Sequence, residues 1–416
     1  MVKEGIDGMS KQKFLPIILG SDENAYGDVR LFLEAYGVRP LILCQRLLIP
    51  TQHSRLFDFR CIENFDSDEV FVPTLRSILV EKKEQYESIV VIACSDYYAN
   101  LMSRYYDRFE GLITNRFPAV NLLEQFETKD KFYALCEKYG MPYPKTVVCS
   151  ASERESVIDT LPFDFPIVVK PENSNATEYL HLSFEGKKKV YFLYSKDEYL
   201  SVVRALDRAM YQGKLIIQEF IEGGDDAMRV INSYSDNTGC VRASSLGQPL
   251  LEEYAPYTIG NYAAIVTRND ERVYAEVKSF LEKIGYVGFS NFDMKYDRKN
   301  DRYVLFEINP RLGRSSYFVR ASGINMMKEL VDACVDNADF TGVHYGTKTA
   351  MWSNVPKGIL KKYVKNEALK KEIKALSGSC LYTLYAKGDL SCKRLYRITR
   401  YYLSHYKNYR KYYFEK

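Results

Sequence analysis

The chain has 416 residues, 46% hydrophobic and 27% charged, with a formal net charge of +4. That length calls for two or three domains, and a charge so near balance argues against a protein that holds nucleic acid by bulk electrostatics. The nine cysteines include no CxxC pair and only four histidines accompany them, which speaks against a zinc ribbon or a disulfide framework. The sequence has no run of the ~18–20 apolar residues that a spanning helix needs and no apolar leader, so a cytoplasmic, reducing setting is expected. Tyrosine is abundant at 35, against one tryptophan, Trp352.

Residues 1–13 read as a polar leader. The apolar run Phe14 to Gly20 is a strand, Ser21-Asp22-Glu23-Asn24 opens an amphipathic helix, Gly37 stops it, and Pro40 to Cys44 is the next strand. Ser77 to Tyr86 is helical in character, Ser88 to Cys94 is a buried strand, and Asp96 to Phe109 is helical again. Strands alternating with helices imply a parallel sheet, so residues 1–125 read as a small Rossmann-like α/β domain. The Gly-rich dinucleotide fingerprint is missing, with Gly20 and Gly27 standing alone. A scaffold is the plainer reading of this domain than a site.

Thr128 caps a helix over Lys129 to Tyr139 that ends at Gly140, with Pro142 and Pro144 beyond it. Phe165 to Pro171 is a buried strand ending in Lys170, a position where a lysine is more often a surface residue than a ligand. Leu215 to Glu222 is another strand, broken by Gly223-Gly224. Gly288 to Asp297 and Tyr303 to Arg311 alternate apolar with polar residues about the turn Arg298-Lys299-Asn300-Asp301, which reads as a hairpin. With the loop centred on Asn300, Asp293 lies opposite Glu307, and Asn309 shares a face with Glu307. Two carboxylates and an amide oxygen suit Mg²⁺ bound beside nucleotide phosphates; the plain alternative is a solvated hairpin face.

In order and content these pieces resemble the ATP-grasp superfamily of carboxylate–amine ligases. The resemblance rests on Asp130-Lys131, on Gly140-Met141-Pro142-Tyr143-Pro144, on Val168-Val169-Lys170-Pro171, on Gln218-Glu219-Phe220-Ile221-Glu222-Gly223, and on the hairpin with Asp293 and Glu307-Ile308-Asn309-Pro310-Arg311. It implies an ATP-grasp fold, α/β and α+β, in which two α+β subdomains clamp ATP. The domains expected are 1–125, then 126–340 with subdomains near 126–214 and 215–340, then a basic, tyrosine-rich helical region over 341–416.

The same resemblance assigns roles to residues. Lys131 and Lys170 would be phosphate cations, and Glu219, Phe220 and Ile221 the adenine hinge. Asp226, or else Asp225, would meet the ribose hydroxyls. Asp293, Glu307 and Asn309 would hold Mg²⁺, or Mn²⁺ in its place. Arg311, with Arg314 second, would offset negative charge where a carboxylate attacks the γ-phosphoryl group. The family's glycine-rich phosphate loop is not matched: Glu172 to Tyr179 has no glycine, and only Ser174 is carried over there.

Phe184 to Lys189, the glycine-free loop and Asn309 to Tyr317 are similar to the bacterial D-aspartate ligases. Those enzymes join the β-carboxyl of D-aspartate to the lysine side chain of a peptidoglycan precursor. The alternatives are a ligase for another amino acid or surface-polymer acceptor, and a non-catalytic ATP sensor. Ser244 to Pro249 and Gly260 to Tyr262 read as loops near the second substrate. Family likeness also suggests a homodimer. The last stretch, with Leu395, Ile398, Tyr402, Tyr406 or His405, Tyr409 and Tyr413 near a 3.6 period amid lysines and arginines, reads as a basic amphipathic helix. Packing on the ligase body is the first reading for it, an anionic membrane surface the second, and nucleic acid is not expected.

Overall fold

The computed structural model describes residues 11–172, 179, 181–256, 258–339 and 341–414. The chain forms two units. The larger comprises residues 1–123, 224–293 and 308–416, and the smaller residues 124–223 and 294–307.

In the larger unit the first sheet is parallel, from β1 (Gln12–Leu19), β2 (Leu41–Cys44), β3 (Asp58–Cys61) and β4 (Tyr86–Ala93), in the order β3-β2-β1-β4. Alternation along β1 sends Phe14 and Ile18 into one core and Leu15, Ile17 and Leu19 into another, so both faces are covered, as a parallel sheet requires. Gln12 pairs with Tyr86, so the end of the expected leader is strand. The helix Glu23–Tyr36 is capped by Asp22, which accepts from Ala25 N at 3.1 Å, and is stopped by Gly37 at φ 65°. The helix before β4 spans Asp68–Lys83, nine residues earlier than the sequence suggests, because Pro73 sits in its second turn and masks the start.

The smaller unit holds an antiparallel sheet of β5 (Thr146–Cys149), β6 (Ile167–Pro171), β7 (Tyr191–Leu193) and β8 (Leu215–Glu219), in the order β5-β8-β6-β7. The helix Lys196–Arg208 buries Tyr199, Val203 and Leu206 in the same core as Ile167, Val169, Leu215 and Ile217.

The larger unit's second sheet contains β9 (Met228–Ser235), β10 (Val241–Glu252), β11 (Tyr262–Arg268), β12 (Gly288–Asp297), β13 (Arg302–Asn309), β14 (His344–Tyr345) and β15 (Met351–Ser353). Its order is β13-β12-β9-β10-β11-β15, with β14 beside β10. The expected hairpin is present as β12 and β13, and its tip, residues 294–307, counts with the smaller unit. Ser244 to Pro249 is not a loop but the middle of β10. Gly247 is there for close packing, since a Cβ would stand 2.6 Å from Ile265 Cγ2 and 3.0 Å from Phe318.

The stretch expected to be helical from Trp352 begins as β15, with Trp352 buried and donating to Thr383 Oγ1 at 2.9 Å, and only then forms helices Lys357–Tyr363 and Glu367–Leu376. The final helix, Cys392–Tyr412, buries Arg394, Ile398, Tyr402, His405 and Tyr409. Leu395, expected inward, is 43% exposed, and of the two alternatives Tyr406 and His405 it is His405 that is buried, with Tyr406 45% exposed. Buried phenols find acceptors, Tyr26 on Asp389 at 2.7 Å and Tyr317 on Glu34 at 2.7 Å, which gives the tyrosine-rich composition a structural use.

Candidate nucleotide and substrate site

Within the smaller unit, β6 presents Lys170 one position before its end. The ammonium reaches Gln218 Oε1 at 3.4 Å, and Gln218 is itself held by Tyr133 Oη at 3.0 Å and Thr146 Oγ1 at 2.9 Å. Burial, then the positive charge of Lys129, push Lys170 down to about 8, with Glu307 opposing. Lys129 donates to Phe306 O at 2.7 Å and to Glu307 Oε2 at 3.3 Å. Two lysines and a carboxylate are thereby gathered with one ammonium poorly solvated, an arrangement that a polyphosphate would relieve.

Lys131 is exposed. At 100° per residue it falls on the far side of helix Lys129–Tyr139 from Lys129, Phe132, Tyr133 and Cys136. The buried positions 132, 133 and 136 were the sequence signal that could have singled out Lys129.

The hinge stretch leaves β8. Glu219 accepts from Lys145 N at 3.1 Å and pairs with Arg302 at 3.2 Å. Phe220 meets Phe192 edge-on with centroids 5.9 Å apart, and Lys295 stands 5.5 Å from its ring. Ile221 is buried. Ser174 lies outside the described residues.

Within the larger unit, Asp293 on β12 accepts from Tyr262 Oη at 2.9 Å, from Asn309 Nδ2 at 3.2 Å and from Asn291 Nδ2 at 3.3 Å. Asp293 and Asn309 are thus brought together within the larger unit, while Glu307, two residues before Asn309 on β13, counts with the smaller unit. Among the described residues no three or more His, Cys, Asp or Glu side chains gather as a metal centre. The oxygens of the Asp293 carboxylate and the Asn309 amide are hard donors whose chemistry fits Mg²⁺. Of the two ribose candidates, Asp225 accepts from Glu252 N at 3.0 Å and Tyr254 Oη at 2.9 Å, which ties it into the fold. Asp226 accepts from Asn366 Nδ2 at 3.1 Å.

The arginines after β13 are held by acids that open two helices. Arg311 pairs with Asp96 at 2.8 Å, the first residue of the helix Asp96–Arg104 that follows β4. Arg314 donates through Nε and Nη2 to Glu23 Oε2 at 3.1 and 2.8 Å, and Glu23 opens the helix that follows β1. β1 and β4 are the strands where the order of the parallel sheet reverses, a position where α/β sheets offer a crevice at their carboxyl ends.

Tyr401 of the last helix donates to the other Glu23 oxygen. Glu253 lies near enough that Arg314 pulls on it, yet burial dominates and pushes it up to about 7. Burial and Glu23 likewise push Asp22 up to about 6, and burial brings His405 down to about 4. Arg314 is therefore a half-buried arginine in an acidic setting. The acids Asp22, Glu23, Asp96 and Glu253 escaped sequence reasoning, which took Ser21-Asp22-Glu23-Asn24 only as a helix start.

The ATP-grasp domain family matches residues 127–315. The D-aspartate ligase of Enterococcus faecium (strain Aus0004) is 38% identical over 402 residues, covering 94% of this chain and 94% of that one. The chain belongs to the D-aspartate ligase family of ATP-grasp enzymes. As a member it is an ATP-dependent carboxylate–amine ligase. Solved structures show the same fold at low identity. N5-carboxyaminoimidazole ribonucleotide synthetase from Thermus thermophilus has a TM-score of 0.56 at 14% identity, covering 88% of this ligase and 98% of that chain. Phosphoribosylglycinamide synthetase from Anaerococcus prevotii has a TM-score of 0.55 at 15% identity, covering 78% and 75%.

Proposed function

We propose that this ligase joins the β-carboxyl of D-aspartate to the lysine side chain of a peptidoglycan precursor. The single observation that carries the reading is the near full-length likeness to the enterococcal D-aspartate ligase. The site chemistry supports it. The D-aspartate carboxylate attacks the γ-phosphorus of ATP, the bond to the β–γ bridging oxygen breaks, and ADP leaves. The acyl phosphate so formed is attacked by the lysine amine, which loses a proton as inorganic phosphate departs.

Both anionic partners of the first step need cations near them. Lys170 is the strongest assignment for the phosphates, because its ammonium is already depressed by burial. Lys131 has the family position and Lys129 the contacts to Phe306 and Glu307. Glu219, Phe220 and Ile221 would border adenine, Asp226 the ribose, and Ser174 a phosphate. Asp293, Glu307 and Asn309 would hold Mg²⁺, or Mn²⁺ in its place, whose charge would offset that of the β- and γ-phosphates. Arg311 and Arg314 would face the reacting carboxylate.

The domain assignment proposed for function is 1–125 before the ATP-grasp part, 126–340 for nucleotide and substrates, and 341–416 as a basic tail. We place the enzyme in the cytoplasm, in keeping with nine free cysteines, and propose a homodimer by family likeness.

The test is phosphate release by purified protein given Mg-ATP, a panel of D- and L-amino acids, and a lysine-containing cell-wall precursor. Release that requires D-aspartate together with the precursor supports the assignment. Release with a different amino acid keeps the ligase and discards the substrate. ATP binding without release under any pairing would favour a sensor.

A further inference from the structure

We propose that the outward face of the C-terminal helix docks this protein on an anionic lipid surface. The helix Cys392–Tyr412 has two unlike sides. One is committed to the larger unit: Ile398, Tyr402, His405 and Tyr409 are buried, Tyr409 donates to Glu252 O at 2.5 Å, and Arg394 pairs with Asp389 at 2.9 Å. The other is left to the surroundings. At 100° per residue, Lys393, Arg400, Lys407 and Lys411 fall within about 40° of one line, a stripe roughly 27 Å long at 1.5 Å per residue, directly opposite the buried side.

Arg397 and Arg410 flank this stripe, and all six cations are exposed. No Asp or Glu occurs from Leu390 to Phe414. Among the described residues, none of the six stands in an ion pair. Their charge exceeds the formal net charge of the whole chain, +4, so the remainder is net acidic and the helix is the positive pole of the molecule. The partner must be anionic.

Apolar side chains decide which anionic partner. Tyr396 at 61% and Leu403 at 57% exposure lie beside the stripe's cations, and Phe414, 50% exposed, follows the end of the helix. Among the described residues, six of the eighteen exposed large hydrophobic residues fall between 390 and 414. A nucleic acid offers phosphates to the cations but nothing that favours burying an isolated leucine. A lipid surface offers both, with headgroup phosphates for Lys and Arg and the acyl boundary for Leu and Tyr. One straight stripe on a helix anchored along its other side also matches a planar partner. The docking would be peripheral and salt-sensitive, because no helix of the described residues is long and apolar enough to cross a membrane.

The test is co-sedimentation of the full chain with vesicles of phosphatidylglycerol and phosphatidylcholine, against vesicles of phosphatidylcholine alone. Binding is expected only with the anionic vesicles at low salt, and it should fall steeply at about 1 M salt, where the screening length is ~3 Å. Each cation near such a surface is worth roughly fivefold in binding, so Arg400→Glu with Lys407→Glu should lower it at least tenfold. Leu403→Ser should lower it several-fold at unchanged charge. The same charge change elsewhere on the larger unit, Arg272→Glu with Lys283→Glu, should leave it intact, and all variants should keep the wild-type thermal midpoint. Equal binding to neutral vesicles, or wild-type binding by Arg400→Glu with Lys407→Glu, overturns the proposal. So does an RNA oligomer that binds more tightly than the anionic vesicles and loses affinity in that same variant.

Discussion

Glu253 allows a stability measurement that is independent of catalysis. Its carboxyl is 5% exposed and is pushed by burial from the ordinary 4.5 to about 7, even with Arg314 pulling the other way. A carboxyl with a raised folded pKa binds more protons in the native state than in the unfolded state between those two values. Its contribution is therefore present below about pH 4.5 and is lost as pH rises through about 7. The shift corresponds to ~3 kcal/mol at 1.36 kcal/mol per unit. Glu253→Gln keeps the shape and removes the ionisation. Relative to wild type, the variant should gain ~3 kcal/mol between about pH 5 and about pH 8. At about 2 °C per kcal/mol, that is a relative rise of ~6 °C in thermal midpoint. The assay is a pair of thermal scans, wild type and variant, at each pH. A variant whose offset from wild type is the same at both pH values would refute the buried, half-titrated carboxyl. Asp22, pushed up to about 6, contributes in the same direction and is common to both proteins, so it cancels in the comparison.

Four further outcomes bear on the nucleotide site. Glu307→Gln, at a side chain 50% exposed, should fold normally yet lose at least about a hundredfold in kcat; wild-type turnover would remove Glu307 from the metal set. Lys170→Ala should raise the KM for ATP at least about tenfold. Comparing Lys129→Ala with Lys131→Ala in the same assay will show which lysine of that helix serves ATP, and the larger effect is expected at Lys129. Because burial and Lys129 hold Lys170 near 8, ATP binding at about pH 8.5 should take up a fraction of a proton as phosphates restore the ammonium. Calorimetry in two buffers of different ionisation heat reads that uptake, and none would mean that Lys170 stays away from the phosphates.

The fold was readable where local chemistry and global packing agree. β1, β4, β6, β8 and the hairpin β12–β13 are apolar or alternating runs bounded by turn residues, and Gly37 and Gly140 end their helices in the left-handed conformation that glycine adopts without strain. β10 was misread because Ser244-Ser245 and Gly247-Gln248-Pro249 have loop composition. Their burial comes from tertiary neighbours, Ser233 on Ser244 at 2.7 Å and Ile265 over Gly247, which a local pattern does not encode. The site divides in the same way. The closeness of Asp293 and Asn309, 3.2 Å apart, was legible because strand spacing carries it. Glu23, Asp96 and Glu253 were missed because their partners Arg314 and Arg311 lie more than two hundred positions away for two of them and sixty-one for the third. The contacts of Lys129 to Phe306 and Glu307 follow from helical phase rather than from motif position.

The clasp between the first domain and the final helix bears on biosynthesis. Tyr26 bonds Asp389 across 363 positions, Arg394 lies 4.2 Å over the Tyr26 ring and donates to Gln52 O across 342, and Tyr401 reaches Glu23 across 378. The first sheet to leave the ribosome is thus finished by side chains made more than three hundred positions later. Until they arrive, the phenol of Tyr26 lacks its acceptor and the side chains that Ile398 and Tyr402 cover stay open to solvent. Such long-range closure carries a large loop entropy and is reached late. The face of the first domain that meets the helix Cys392–Tyr412 is therefore completed only after that helix has cleared the ribosome. For the same reason a stop codon before Asp389 would destabilise a region that begins at residue 12.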